Sequence, residues 1–165
     1  VTNQFHCRKA DLADIDALTE LCLRSKQSNG YDVAFMAACA EELRVQESWI
    51  LKDDFWVAEA ASGDLAGCIR LENGSEAGSA ELSTCFVAPE FQGQGVGHLL
   101  FEALLSRVRE QNLTRVSLDA DPNAEDFYAR LGFRTIGRAP SGSIPGRFLP
   151  RMELELSSAQ QGQTR

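Results

Sequence analysis

Three glycines crowd into six residues, Gln92-Gly93-Gln94-Gly95-Val96-Gly97, and apolar residues at helical spacing begin directly behind them. A segment of this kind does its chemistry with the backbone. Glycines leave no side chains in the way of an anion, and a helix that starts at the end of the loop offers unpaired N–H groups and the positive end of its dipole. The ligand that suits it is a pyrophosphate. Spacing excludes two loops that share the mechanism. A dinucleotide fingerprint G-x-G-x-x-G started at Gly93 requires glycine where the chain has His98, and started at Gly95 it requires glycine where the chain has Leu100. A P-loop requires Lys and then Ser or Thr after its last glycine, but His98 and Leu99 follow Gly97. A tight strand-to-helix turn with no ligand is the remaining alternative.

Periodicity places elements on both sides of this loop. Ahead of it, Phe55 to Ala60 and Ala66 to Glu72 read as strands joined across Ser62-Gly63-Asp64, and Ala80 to Val87 as a longer strand closed by Pro89. Behind it, Leu100, Ala103, Leu104 and Val108 mark one face of a helix from Val96 to near Asn112, and Arg115 to Asp119 is the next strand. Ala124, Phe127, Tyr128 and Leu131 form the apolar face of a short helix stopped by Gly132. The chain opens on a strand near Phe5 to Arg8 and two helices, one carrying Leu12, Ile15, Leu18 and Cys22, the other running through Phe35, Met36, Cys39 and Leu43 to about Trp49. These two helices are expected to form a mobile lid. Phe133 to Ile136 and Phe148 to Leu156 make a closing pair of strands, and the polar tail 157–165 is expected to fray.

Composition narrows the class. With 165 residues, 44% hydrophobic and 24% charged, the chain suits one domain over residues 1–156 with a core that needs no metal or disulfide. Sixteen basic against twenty-four acidic residues give a net charge of −8, and the basic residues Arg134, Arg138, Arg147 and Arg151 are scattered, which argues against nucleic acid as a partner. Five cysteines, an odd number and widely spaced, read as buried reduced thiols. Without Cys-x-x-Cys, and with His6 far from His98, no metal is expected. No run approaches the roughly 18 apolar residues of a membrane span, and Val1 to Ala10 is too polar for a signal sequence, so the expected location is the cytoplasm.

Phe86-Val87-Ala88-Pro89-Glu90-Phe91-Gln92-Gly93-Gln94-Gly95-Val96-Gly97 resembles the acetyl-CoA-binding motif of the GNAT superfamily of N-acetyltransferases, Q/R-x-x-G-x-G/A, with Gln92, Gly95 and Gly97 at the defining positions. Asp121 to Phe133, with Asn123, Phe127-Tyr128 and Gly132-Phe133, is similar to that superfamily's downstream motif. The resemblance implies a single α/β (α+β) domain, a mostly antiparallel twisted sheet of about seven strands flanked by about four helices. It implies acetyl-CoA as co-substrate, held by Phe86, Val87, Gln92, Gly93, Gln94, Gly95, Val96, Gly97, His98, Asn123, Phe127 and Tyr128. The partner is then an amine-bearing small molecule or a peptide, the small molecule leading. Homodimers are common in the superfamily, but no interface is legible here.

A mechanism follows from that implication. A lysine-like amine is neutral only about 1 part in 2,500 at pH 7, a deficit of about 4.6 kcal/mol, so a general base is useful. Glu81 is the candidate, against the alternative of an exposed strand glutamate. A backbone N–H near Phe86 or Val87, beside a bulge, is the implied oxyanion donor. Tyr128 resembles the tyrosine that protonates the departing thiolate, against the alternative of a core aromatic. Asn123 bonds the pantetheine arm or caps its helix. For the acceptor, Tyr31, Asp32, Arg70, Ser143 and Arg147 are candidates; the Ser141 to Arg147 segment also reads, more simply, as a hairpin turn. The rival readings are a protein or peptide acetyltransferase and a non-catalytic acyl-CoA-binding module; a nicotinamide oxidoreductase fails on glycine spacing.

Overall fold

The computed structural model of the chain describes residues 4–156; the N-terminal residues 1–3 and the tail 157–165 lie outside the described residues. Seven strands form one sheet in the order β1-β2-β3-β4-β5-β7-β6. They are β1 Phe5–Lys9, β2 Asp54–Ala60, β3 Leu65–Asn73, β4 Ser79–Val87, β5 Arg115–Asp119, β6 Arg134–Pro140 and β7 Phe148–Glu155. Five helices accompany them: α1 Ile15–Gln27, α2 Val33–Leu43, α3 Glu47–Lys52, α4 Val96–Glu110 and α5 Glu125–Arg130. No helix among the described residues is long and apolar enough to cross a membrane.

Alternation along the strands puts apolar side chains on both faces of the sheet, so both faces must be covered. Phe55, Val57 and Cys68 pack with Leu18, Leu21 and Cys22 of α1. Ala58, Ile69 and Leu82 pack with Leu100, Leu104 and Val108, the one apolar stripe of α4. Each of those buried leucines contributes roughly 1.5–3 kcal/mol by leaving water. The sheet is therefore a partition with a separate core on each side.

The second helix of the sequence reading is two helices. After Leu43 the chain turns extended at Arg44 (φ −70°, ψ 117°) and restarts at Glu47. Val45 accounts for the break: it is buried, and its N–H donates to Thr19 Oγ1 at 3.0 Å, so the segment is pinned to α1 instead of continuing the helix. All five cysteines are free, with Cys7 and Cys85 half-buried instead of buried.

One junction of the sheet positions everything that follows. Neighbouring strands run antiparallel except β4 and β5, which are parallel and paired only from Ser79–Arg115 to Glu81–Ser117. Beyond Glu81, β4 continues to Val87 with its β5 edge unpaired, while β5 stays paired with β7 along its whole other edge. The sheet splits there like a partition with a slot cut into it.

Candidate active site

The slot opens into a cavity of about 590 Å³. Because successive β4 residues face opposite sides, the cavity has two unlike halves. Cys85 and Val87 face α4 and α5, where Gly97, Phe127 and Tyr128 line it. Thr84 and Phe86 face α1 and α3, where Cys22, Trp49 and Arg70 line it.

In the first half the glycines divide into two jobs. Gly93 and Gly95 have φ of +77° and +82°, a region that side chains rarely adopt, and a Cβ at either would meet nothing within 4 Å. They turn the chain and leave the loop's concave side open. Gly95 is also the N-cap of α4 and makes no side-chain cap bond, and the first bond back to it is Leu99 N–H to Gly95 C=O at 3.0 Å. The amides of Val96, Gly97 and His98 at the start of α4 therefore lack helical acceptors. Gly97 does something else: a Cβ there would stand 2.9 Å from Phe127 Cζ, so it lets α4 approach α5. Gln92 lines the cavity and Gln94 does not; their amides donate to Ser28 Oγ and Glu90 C=O, both at 3.3 Å. His98 lines the cavity mouth, exposed, 3.7 Å from Glu102.

Tyr128 is 7% exposed, packed edge-on against Phe127 and Phe133, with its hydroxyl beside the Cys85 thiol. Burial, and then the neighbouring thiol, push its pKa well above the ordinary phenol value, so it keeps its proton and can donate it. Burial also pushes the Cys85 thiol up to about 12, which leaves it a poor nucleophile. Of the two amides expected as oxyanion donor, the ladder selects one. Ala88 N–H donates to Ala66 C=O across the β3 side, so Phe86 shares that direction, and the Val87 N–H points to the unpaired edge inside the slot. The bulge lies in β4 itself, where Ser83 is the extra residue between Leu82, opposite Leu71, and Thr84, opposite Arg70.

The second half departs most from expectation. Glu81 sits at the vertex of the split but does not line the cavity; both its carboxylate oxygens accept from Arg151, Oε2 at 2.9 Å. The expected base is thus placed in a two-point ion pair outside the cavity lining. Tyr31, Asp32, Ser143 and Arg147 do not line the cavity either. Asp32 caps α2 by accepting from Phe35 N–H at 2.8 Å. Tyr31 donates to Asp121 at 2.9 Å and accepts from Arg147 at 2.8 Å, while Ser143 Oγ lies 3.4 Å from Cys39 Sγ. Together they fasten the β6–β7 loop onto the first helices. Asn123 joins this latch, giving its side-chain amide to Tyr31 and Asp121, and the residue that caps the 3-10 turn at 122–124 is Asp121. Arg70 alone of the five acceptor candidates lines the cavity.

Several cavity residues escaped the sequence reading. Trp49 stacks on Arg70 with 3.9 Å between the guanidinium carbon and the ring. Lys26 and Asp121 pair at 2.7 Å; burial pushes the Asp121 carboxyl up, but bonds from Lys26 and Asn123 outweigh it and hold its pKa down to about 2. Glu42 lines the cavity with no ion pair among the described residues. A signal existed only for Asp121, which precedes Pro122 as a cap commonly does.

Residues 23–155 match the family model described as Acetyltransferase (GNAT) domain. The chain belongs to the GNAT acetyltransferase family. As a GNAT domain it has an acyltransferase fold, and that fold is shared with solved members. The PaiA N-acetyltransferase from Thermoplasma acidophilum, crystallised in complex with coenzyme A, superposes with a TM-score of 0.76 at 20% identity, over 92% of this chain and 99% of that one. A GCN5-related N-acetyltransferase from Rhodopseudomonas palustris gives 0.77 at 20% identity, over 94% and 98%. In sequence, the chloroplastic GCN5-related N-acetyltransferase 2 of Arabidopsis thaliana is 45% identical over 47 residues, 28% of this chain and 18% of that protein. The amino-acid acetyltransferase of Mycobacterium tuberculosis is 36% identical over 90 residues, 53% and 49%. The match spans under half the length of these curated relatives.

Proposed function

We propose that this GNAT domain is an acetyl-CoA-dependent N-acetyltransferase that moves an acetyl group onto a primary amine of a small molecule. The observation that carries this reading is convergence: the open glycine loop at the start of α4, the free Val87 amide and the Tyr128 phenol all face one cavity. Acetyl-CoA supplies an activated thioester and a diphosphate. The amides of Val96, Gly97 and His98 hold the diphosphate at the positive end of the α4 dipole. The slot between β4 and β5 admits the thiol arm, and Val87 N–H stabilises the oxyanion that develops as the amine adds. Tyr128 then gives its proton to the departing thiolate. Glu42 draws cationic amines to the opposite half; the ammonium loses one proton to water in the open cavity before it attacks, since Glu81 is held by Arg151, and after addition the nitrogen loses a second, which restores the Tyr128 phenol through water.

Calorimetric titration with acetyl-CoA and, separately, with NADH tests the reading, because both carry a pyrophosphate. Saturable binding of acetyl-CoA alone, followed by thiol release on addition of primary amines, is the expected result. Binding of acetyl-CoA with no thiol release for any amine would leave an acyl-CoA-binding module, and binding of neither would overturn the assignment.

A further inference from the structure

Arg70 is 6% exposed and lines the acceptor half, yet only part of its guanidinium is in use. Nε donates to Thr84 Oγ1 at 3.1 Å, and Nη1 donates to Asp53 at 2.8 Å and to Glu72 at 2.7 Å. The Trp49 ring covers one face. Nη2 has no hydrogen-bond partner among the described residues. Nη2 is solvent-accessible, so an acceptor can reach it, and a guanidinium already fixed by three hydrogen bonds and a ring loses little freedom when it binds. We infer that Arg70 Nη2, with Trp49 beside it, is a subsite for a neutral oxygen, carbonyl or hydroxyl, carried by the amine acceptor. This rests on the acetyl-transfer reading above.

The charge around the group decides between a neutral and an anionic partner. Asp53 and Glu72 already outnumber the single positive charge of Arg70, Lys26 is matched by Asp121 and Asp119 is paired with Arg151, and Glu42 adds further negative charge to the cavity. A carboxylate brought to Nη2 meets net repulsion, whereas a carbonyl accepts the same N–H bonds without it. Spacing adds a second criterion. Arg70 lies opposite Thr84 in the ladder, three residues from Val87, roughly 10 Å at about 3.4 Å per residue. The oxygen and the reacting nitrogen therefore sit at opposite ends of the acceptor, which excludes an α-amino acid held by its own carboxylate. An ω-amine ending in an amide has the right form.

Three probes differ only at that end: lysinamide carries a neutral carbonyl, lysine a carboxylate, and 1,5-diaminopentane no oxygen. Titrated calorimetrically into the CoA-loaded protein, lysinamide is expected to bind at least about tenfold more tightly than either of the others, the effect of one hydrogen bond to a charged group. Arg70→Lys, which keeps a cation facing Asp53 and Glu72 but lacks Nη2, should level the series. Equal affinities, a preference for lysine, or no binding of lysinamide in the wild-type protein would overturn the subsite, whether or not the variant folds. A lysinamide preference in a protein that does not bind acetyl-CoA would leave the subsite standing and overturn the proposed function instead.

Discussion

The two halves of the cavity are built from different materials. Toward α4 and α5 the recognition groups are backbone amides from one continuous stretch, Val87 to His98, shaped by glycines and closed by Phe127 and Tyr128. Toward α1 and α3 they are side chains from elements far apart in sequence, Cys22, Glu42, Trp49, Arg70 and Thr84, most of them tied into bonds with one another or with their neighbours. The contrast teaches that the glycine-loop half is specified by conformation and the Arg70 half by chemistry. Substitutions should therefore fail in different ways on the two sides.

The sharpest break is Gly95→Asp. Aspartate tolerates a positive φ better than most residues, so the fold should survive, while its carboxylate occupies the concave side of the loop. Acetyl-CoA binding should fall below calorimetric detection with an unchanged circular dichroism spectrum, and retained affinity would show that the loop is only a turn. Tyr128→Phe comes next. Turnover should drop about 10- to 100-fold with acetyl-CoA affinity within about twofold, the signature of a group that acts only in the chemical step. An unchanged rate would return Tyr128 to the role of a core aromatic.

The latch on the acceptor side should show in acid. The Asp121 pKa is about 2 folded and 3.8 unfolded, so its contribution to stability is fully present above about pH 4 and is lost as pH falls toward 2. Urea unfolding should find wild type more stable than Asp121→Asn by about 2 kcal/mol at pH 6, with the gap closing toward pH 2.5; a gap that does not change with pH would remove this pair from the account. The smallest effect is expected at Glu81. Glu81→Gln should change the transfer rate less than about threefold and leave the pH–rate profile in place, whereas a large loss confined to low proton-accepting capacity would restore it as the base.

Much of the donor half was legible because its information is local. The glycine run, the strand before it and the helix after it lie within one stretch, and β5 falls where the apolar pattern put it, Arg115–Asp119. The Asn123 to Phe133 block likewise led to Tyr128, which the structure places in the cavity. The acceptor half was not legible in the same way. Tyr31, Asp32, Ser143 and Arg147 look like polar residues waiting for a ligand until the fold shows what each already bonds. The ion pair of Glu81 was hidden for the same reason, since its partner Arg151 is seventy residues away. The break between α2 and α3 was missed because Leu43 and Trp49 both sit on apolar faces, and the hydroxyl of Thr19 that captures Val45 leaves no trace in a periodicity.

The slot between β4 and β5 has a consequence for how such a molecule can change over generations. Only proline removes a main-chain amide, so the N–H groups of the loop persist through almost any other exchange of residue types that spares Gly93, Gly95 and Gly97. Across the slot, replacing a single side chain such as Trp49 or Glu42 alters what is recognised without touching those amides. The split sheet thus separates a heritable constant from a variable.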